Sequence, residues 1–371
     1  MIDNFGCNNE SQSQELTFQK QKSCLKKTLK KIKPLAILDN KYFLIKKLGK
    51  GSTATVYLGF APKDPNHKLY SFKIISKAKI SDLLFKKEVQ TLLSLNHKNI
   101  LKIYHSGESI IKDKNNKIKE VYFIIEEYMK YGELLNYIYL TKGFGENYGR
   151  IIFESLLDAI EYLHNNNIVH RDIKVDNIML SNDLNIKLVD FGFATNAYNN
   201  KINYEKNENI EKNEKNEKNE KKGKLNTFLG TPNYAAPELH LKIPYYGKSN
   251  DIFSLGVTLF VIVTGTLPFK IPLPNDPLYQ FIFKNDYISF WIKRKLNLSQ
   301  SFMELFESLV AFDYSQRPSI SEIRNSNWMK EINHMLKNEL REEFKKKILD
   351  INNRNNGYFG NFDKKENCIY K

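Results

Sequence analysis

Three short stretches carry the side chains best suited to chemistry. The first is Leu48-Gly49-Lys50-Gly51-Ser52-Thr53-Ala54-Thr55-Val56, a G-x-G-x-x-A-x-V pattern joining two apolar, β-rich runs. Its two glycines let the backbone turn tightly and bring N–H groups close to an anionic ligand such as a phosphate. Alone, the pattern equally describes a plain β-hairpin turn. The second is Tyr70-Ser71-Phe72-Lys73 in a third apolar run, with Glu88 following 15 residues later as the only acid between Asp82 and Glu108. An ion pair from helix to strand could hold the ammonium near nucleotide phosphates, although a lysine at a strand end more often points to solvent. The third is Val169-His170-Arg171-Asp172-Ile173-Lys174-Val175-Asp176-Asn177, followed by Asp190-Phe191-Gly192, with Asp190 18 residues after Asp172. Read as ordinary structure, Asp172 is an N-cap or loop acid and Asp190 a turn acid. Neither reading accounts for the spacing.

The elements that must position these groups change character along the chain. Runs rich in β-formers cover Tyr42 to Leu48, Thr55 to Phe60 and Leu69 to Ile75. A helical stretch follows near Leu83 to Leu95, then strands at Ile100 to Gly107 and Val121 to Tyr128. From Glu133 onward helical patterning dominates. The expected class is α+β: a small sheet-rich lobe followed by a larger helical lobe, with a cleft between them. One folded unit is expected over 42–328. Residues 1–41 read as a basic, flexible extension and 329–371 as a charged helical and disordered tail. A low-complexity insert at about 199–224 repeats Glu-Lys-Asn triplets, a period matching neither a helical stripe nor a strand face. Ile252 to Phe269 runs for 18 residues without a charge. Its serines, threonines and glycines favour a helix buried in a large domain over a membrane span.

The third stretch resembles the eukaryotic protein-kinase family. A His-Arg-Asp tripeptide is common by chance; its combination with Lys at +2, Asn at +5 and Asp-Phe-Gly at +18 is not. The resemblance covers roughly 42–328 and extends to Thr231-Pro-Asn-Tyr-Ala-Ala-Pro-Glu238, Asp251-Ile-Phe-Ser-Leu-Gly256 and Arg317. It implies a bilobal protein-kinase fold and an ATP- and Mg²⁺-dependent phosphotransferase. Asp172 would take or orient the substrate hydroxyl proton, and Lys174 would place a point charge near the γ-phosphate. Asn177 and Asp190 would be hard oxygen ligands for Mg²⁺. Lys73 would hold the α- and β-phosphates, oriented by Glu88. Leu48, Gly49, Lys50, Gly51, Val56, Glu127, Met129 and Glu133 would complete the nucleotide site. Asp251 would brace the catalytic loop, Arg317 would pair with Glu238, and Leu92, Tyr104, His170 and Phe191 would stack as a spine.

Lys174 and Thr231 resemble the serine/threonine type, and the Tyr-Gly-Glu-Leu and Pro-Asn-Tyr-Ala-Ala-Pro-Glu stretches resemble the calcium/calmodulin-dependent and AMP-activated branch. The implied partners are protein substrates with a Ser or Thr acceptor, with Glu133 and Asp176 favouring a basic residue three positions upstream. The alternative to an active enzyme is a pseudokinase scaffold that binds nucleotide without turnover. Thr227 falls at the usual activation-loop phosphosite, where Arg171 would pair with a phosphate added by an upstream kinase. Beyond Ala54 in place of a third glycine, Phe253 in place of a common tryptophan and a Lys73-to-Glu88 spacing a few residues short, two positions depart from the pattern. Ser71 stands where an alanine usually roofs the adenine. Glu126 falls at the residue guarding the back of the nucleotide pocket, where a buried carboxylate must be paired, protonated or turned outward. Hydrophobic inhibitors that need that pocket should bind poorly.

Composition narrows the remaining classes. With 57 Lys+Arg against 42 Asp+Glu the formal charge is +15, spread along the chain, so no nucleic-acid partner is expected. Seven lysines between Lys20 and Lys33, with Leu25, Leu29 and Ile32 among them, could form a basic amphipathic helix for membrane or calmodulin contact through 20–33. They read equally as a solvated arm. The three cysteines, Cys7, Cys24 and Cys368, exclude a disulfide framework and favour a reducing, intracellular location, cytoplasmic or nuclear. Neither a signal peptide nor a transmembrane helix is expected.

Overall fold

In the computed structural model the described residues are 33–355, apart from 52–53, 66–67, 80–81, 83–84, 87–88, 90–92, 198–223 and 333. The described residues divide into two compact units, one of those up to Phe85 with Ile103–Tyr128, the other of those in Lys86–Lys102 and from Met129 onward.

The first unit is a closed antiparallel barrel in the order β1-β2-β3-β4-β6-β5. Its strands are β1 (Ala36–Leu38), β2 (Tyr42–Lys50), β3 (Ala54–Phe60), β4 (Tyr70–Ser76), β5 (Ile103–Asp113) and β6 (Ile118–Glu127). Strand residues alternate between faces. Phe72 and Ile74 of β4 and Val121, Phe123 and Ile125 of β6 meet Ala36, Leu38, Tyr42 and Leu44 in one buried core. The opposite face carries the candidate lysine: Val56 pairs with Lys73, Lys73 with Ile124, and Ser71 with Glu126.

Strand β1 corrects the sequence reading, which placed 36–41 in a flexible extension. Asp39 and Asn40 both have positive φ (55° and 47°), the geometry of a tight type I′-like hairpin turn. That turn folds Ala36–Leu38 back on β2, and the strand also pairs with β5, joining two sheet edges. Leu38 becomes fully buried. An apolar side chain at the closure and the pairing of two open edges supply the driving force.

The second unit is mainly helical. Helix α1 (Leu134–Thr141) follows a short strand β7 (Gly132–Glu133), and α2 (Gly145–Asn165) is largely buried along one face. Strand β8 (Ile168–Val169) leads into the His-Arg-Asp loop. The hairpin of β9 (Ile178–Leu180) and β10 (Ile186–Leu188) carries the chain to Asp190. Strands β11 (Thr195–Asn196) and β12 (Lys224–Leu225) flank residues 198–223. Beyond them lie α3 (Pro237–His240), β13 (Tyr245–Tyr246) and α4 (Gly247–Thr264). Helix α4 contains most of the uncharged run and is buried on all sides, a core helix. Gly256 lets it approach α5 (Gln300–Leu309), since a Cβ there would lie 2.7 Å from the Leu309 Cβ. Among the described residues no helix is long and apolar enough to cross a membrane.

The last helix, α6 (His334–Arg354), docks on α2. Leu340, Phe344 and Ile348, four residues apart, are buried, and the Phe344 ring meets Phe144 at 5.4 Å. Lys337 and Arg341 both pair with Glu154 of α2.

Candidate active site

The chemistry-bearing loop of the second unit hangs from one buried carboxylate. Asp251 of α4 is fully buried. It accepts backbone N–H bonds from His170 at 2.9 Å and Arg171 at 2.8 Å, and lies 2.9 Å from His164 Nε2. The loop it braces is strained: Arg171 has φ +66°. A non-glycine residue holds that conformation only where the surroundings over-determine it. Asp251 was marked by the sequence, but His164 was missed. It sits in the last turn of α2, and no neighbouring residue there gives a signal that could have found it.

Asp172, Lys174, Asn177 and Thr231 are brought together. Thr231 donates to Asp172 Oδ1 through its N–H at 3.0 Å and its hydroxyl at 2.7 Å. Lys174 Nζ lies 2.8 Å from Asp172 Oδ2 and donates to Thr231 Oγ1 at 2.6 Å. Asn177 Nδ2 donates to the Asp172 carbonyl at 2.8 Å and to its Oδ2 at 3.1 Å. Burial pushes the Asp172 carboxyl up, but the bonds from Lys174 and Thr231 outweigh it and hold the group below the usual carboxylate range. Asp172 is therefore an anion at neutral pH, held in a fixed orientation.

Asp190 follows β10, is exposed, and has φ +58°. Phe191 beside it is buried against His170, ring centroids 4.8 Å apart. His170 Nδ1 accepts from the Asp172 N–H at 3.3 Å, and Nε2 faces the Val189 carbonyl at 3.2 Å, which fits a neutral ring protonated on Nε2. Burial lowers the His170 pKa in the same sense. With the Asn177 amide nitrogen spent on Asp172, its oxygen is the atom left for a ligand. One amide oxygen and one carboxylate form a hard donor set that fits a magnesium ion.

Thr227 is exposed, and Arg171 Nη1 donates to its hydroxyl at 2.6 Å while Nε donates to the Phe193 carbonyl at 2.6 Å. Tyr245, which sequence reasoning missed, donates to the Thr227 carbonyl at 3.0 Å. Arg317 holds Glu238 through two 2.9 Å bonds, both side chains buried.

The residues expected at a nucleotide divide between the two units. In the first, Leu48, Gly49 and Lys50 end β2; Gly49 pairs with Val56, and Gly51 N–H donates to the Ala54 carbonyl at 2.9 Å. Strands β2 and β3 thus pair as a hairpin whatever the stretch between them binds. Lys73 and Glu127 are half-buried. In the second, Met129 is buried and Glu133 stands at the start of α1 without a side-chain cap bond. Glu88 and Leu92 lie outside the described residues. Tyr104 does not take the spine position: it is exposed at a bulge, packs edge-on to Tyr70 at 5.3 Å and accepts from Lys68 at 2.9 Å. Ile103, opposite Glu126, is the β5 residue on the Lys73 face. Strand period is two, so a one-residue slip turns a side chain to the other face.

A family model described as protein kinase domain matches residues 42–329. Serine/threonine-protein kinase SIK1 of Rattus norvegicus is 34% identical over 293 residues, covering 78% of this chain and 32% of the relative. The SNF1-related protein kinase catalytic subunit alpha KIN12 of Arabidopsis thaliana is 32% identical over 312 residues, covering 82% of this chain and 53% of the relative. Probable serine/threonine-protein kinase MARK-A of Dictyostelium discoideum is 31% identical over 295 residues, covering 78% and 24%. The chain belongs to the protein kinase family. It spans about a third of the length of the SIK1 relatives.

Proposed function

We propose that this chain is a protein serine/threonine kinase that transfers the γ-phosphate of ATP to Ser or Thr hydroxyls of protein substrates. The observation that carries the reading is the Asp172 constellation: an ionised carboxylate, oriented by Asn177 and Thr231, with the Lys174 ammonium 2.8 Å away. Asp172 orients the acceptor hydroxyl and receives its proton, and Lys174 offsets charge on the transferring group. Asn177 and Asp190 would hold Mg²⁺, which when bound neutralises phosphate charge. Lys73, Leu48, Gly49, Lys50, Gly51 and Val56 serve the nucleotide, together with Glu88, Glu127, Met129 and Glu133. The bond between Arg171 and Thr227 supports Thr227 as a regulatory phosphosite, filled by an upstream kinase. Glu133 and Asp176 favour a basic residue three positions before the acceptor.

The test is phosphate transfer from ATP and Mg²⁺ to peptides that differ only in acceptor. Ser and Thr peptides should be labelled and the Tyr peptide not, with the rate falling when the upstream Arg is replaced. Nucleotide binding without transfer to any peptide would favour the pseudokinase reading.

A further inference from the structure

Glu126 is a carboxylate in an unusual place. Strand β6 pairs with β4 in unbroken register, so Ser71 stands opposite Glu126 and Lys73 opposite Ile124. Directly opposed residues turn their side chains to the same face, and residues diagonal to each other, as Lys73 and Glu126 are, lie about 7–8 Å apart, within reach of long side chains. The neighbouring Ile125 is buried in the core on the other face, which leaves no room for a one-residue slip.

The surroundings make that diagonal matter. Of the side chains that β3, β4 and β6 turn to this face, Val56, Leu58, Ser71, Ile75 and Ile124 are uncharged, and Lys73 is the only cation. Glu126 is half-buried, where a carboxylate is costly unless a cation or donors compensate it.

We infer that Glu126 is a positioning residue for Lys73, holding the ammonium from the adjacent strand. This rests on the nucleotide-site reading above. A strand-to-strand anchor is rigid, because both residues belong to one barrel, so Lys73 is kept in place without depending on helix placement alone.

The test measures binding of AMP-PNP with Mg²⁺ to the full chain, and steady-state kinetics with ATP. Glu126→Gln should weaken AMP-PNP about ten-fold and raise the ATP KM by a similar factor, with kcat changed less. Glu126→Asp should recover most of the loss. In a Lys73→Met background, Glu126→Gln should change affinity less than about two-fold, because the partner is gone. Equal losses in both backgrounds, or no loss in the first, would overturn the inference. Should Glu126→Gln fail to fold, Glu126→Met removes the same charge and is read the same way. Wild-type protein that binds no AMP-PNP would overturn the nucleotide-site reading itself.

Discussion

Replacing Asp251 with Asn keeps the size of the side chain and removes its charge. The carboxylate serves three donors: Oδ1 takes the Arg171 N–H, and Oδ2 takes the His170 N–H and faces His164 Nε2. An amide has one oxygen, so either orientation aims its NH₂ at a backbone N–H. One buried donor is then orphaned, at about 1–3 kcal/mol, and the remaining bonds drop from charged to neutral strength, at about 1 kcal/mol each. The sum, about 3–5 kcal/mol, corresponds to a Tm lower by about 6–20 °C for a domain of this size. Because the same bonds hold Arg171 at positive φ one residue before Asp172, the carboxylate proposed to take the acceptor proton also loses its placement. A shift of about 1 Å there costs on the order of 100-fold in kcat, with the ATP KM little changed. Thermal melts and steady-state kinetics on Asp251→Asn check both figures. A Tm within about 1 °C of wild type together with a kcat within about three-fold would refute the reasoning.

Three further outcomes are expected. Leu38→Ala should cost about 2–5 kcal/mol by leaving a cavity at the barrel closure, measured by denaturant unfolding. Thr227→Ala should lower activity, and Arg171→Ala should remove any gain from Thr227 phosphorylation, read by kinase assay before and after phosphatase treatment. His170 has a folded pKa below its unfolded value, so its stabilising contribution is complete above about pH 6.5 and fades as pH falls through the folded value. His170→Phe should flatten the decline of Tm between pH 7 and 5, with His97 and His240, also lowered by burial, contributing to the decline that remains.

The arrangement of the His-Arg-Asp loop was legible because the chemistry that the resemblance implies demands fixed residue types at fixed spacing, and Asp172, Lys174, Asn177 and Asp190 stand at short intervals in one unit. Asp251, Glu238 and Arg317 lie far from their partners in the chain and were legible only through the family resemblance. Strand β1 was missed because three residues, Ala36–Leu38, show too little alternation to register, although the Asp39-Asn40 pair is a hairpin-turn signal. Tyr104 was assigned to the wrong face because a bulge between Ile103 and His105 shifts the parity of β5, which no local pattern reveals. The docking of α6 was hidden because its apolar positions, Leu340, Phe344 and Ile348, are sparse in a highly charged segment.

Catalysis as proposed turns on Asp172 receiving the acceptor proton. The direct measurement compares wild type and Asp172→Asn for phosphate transfer to a Ser peptide, with AMP-PNP affinity and Tm measured on the same preparations. Transfer should fall by about 10²–10⁴-fold with nucleotide affinity within a few-fold of wild type. Equal transfer by the two proteins would contradict that role.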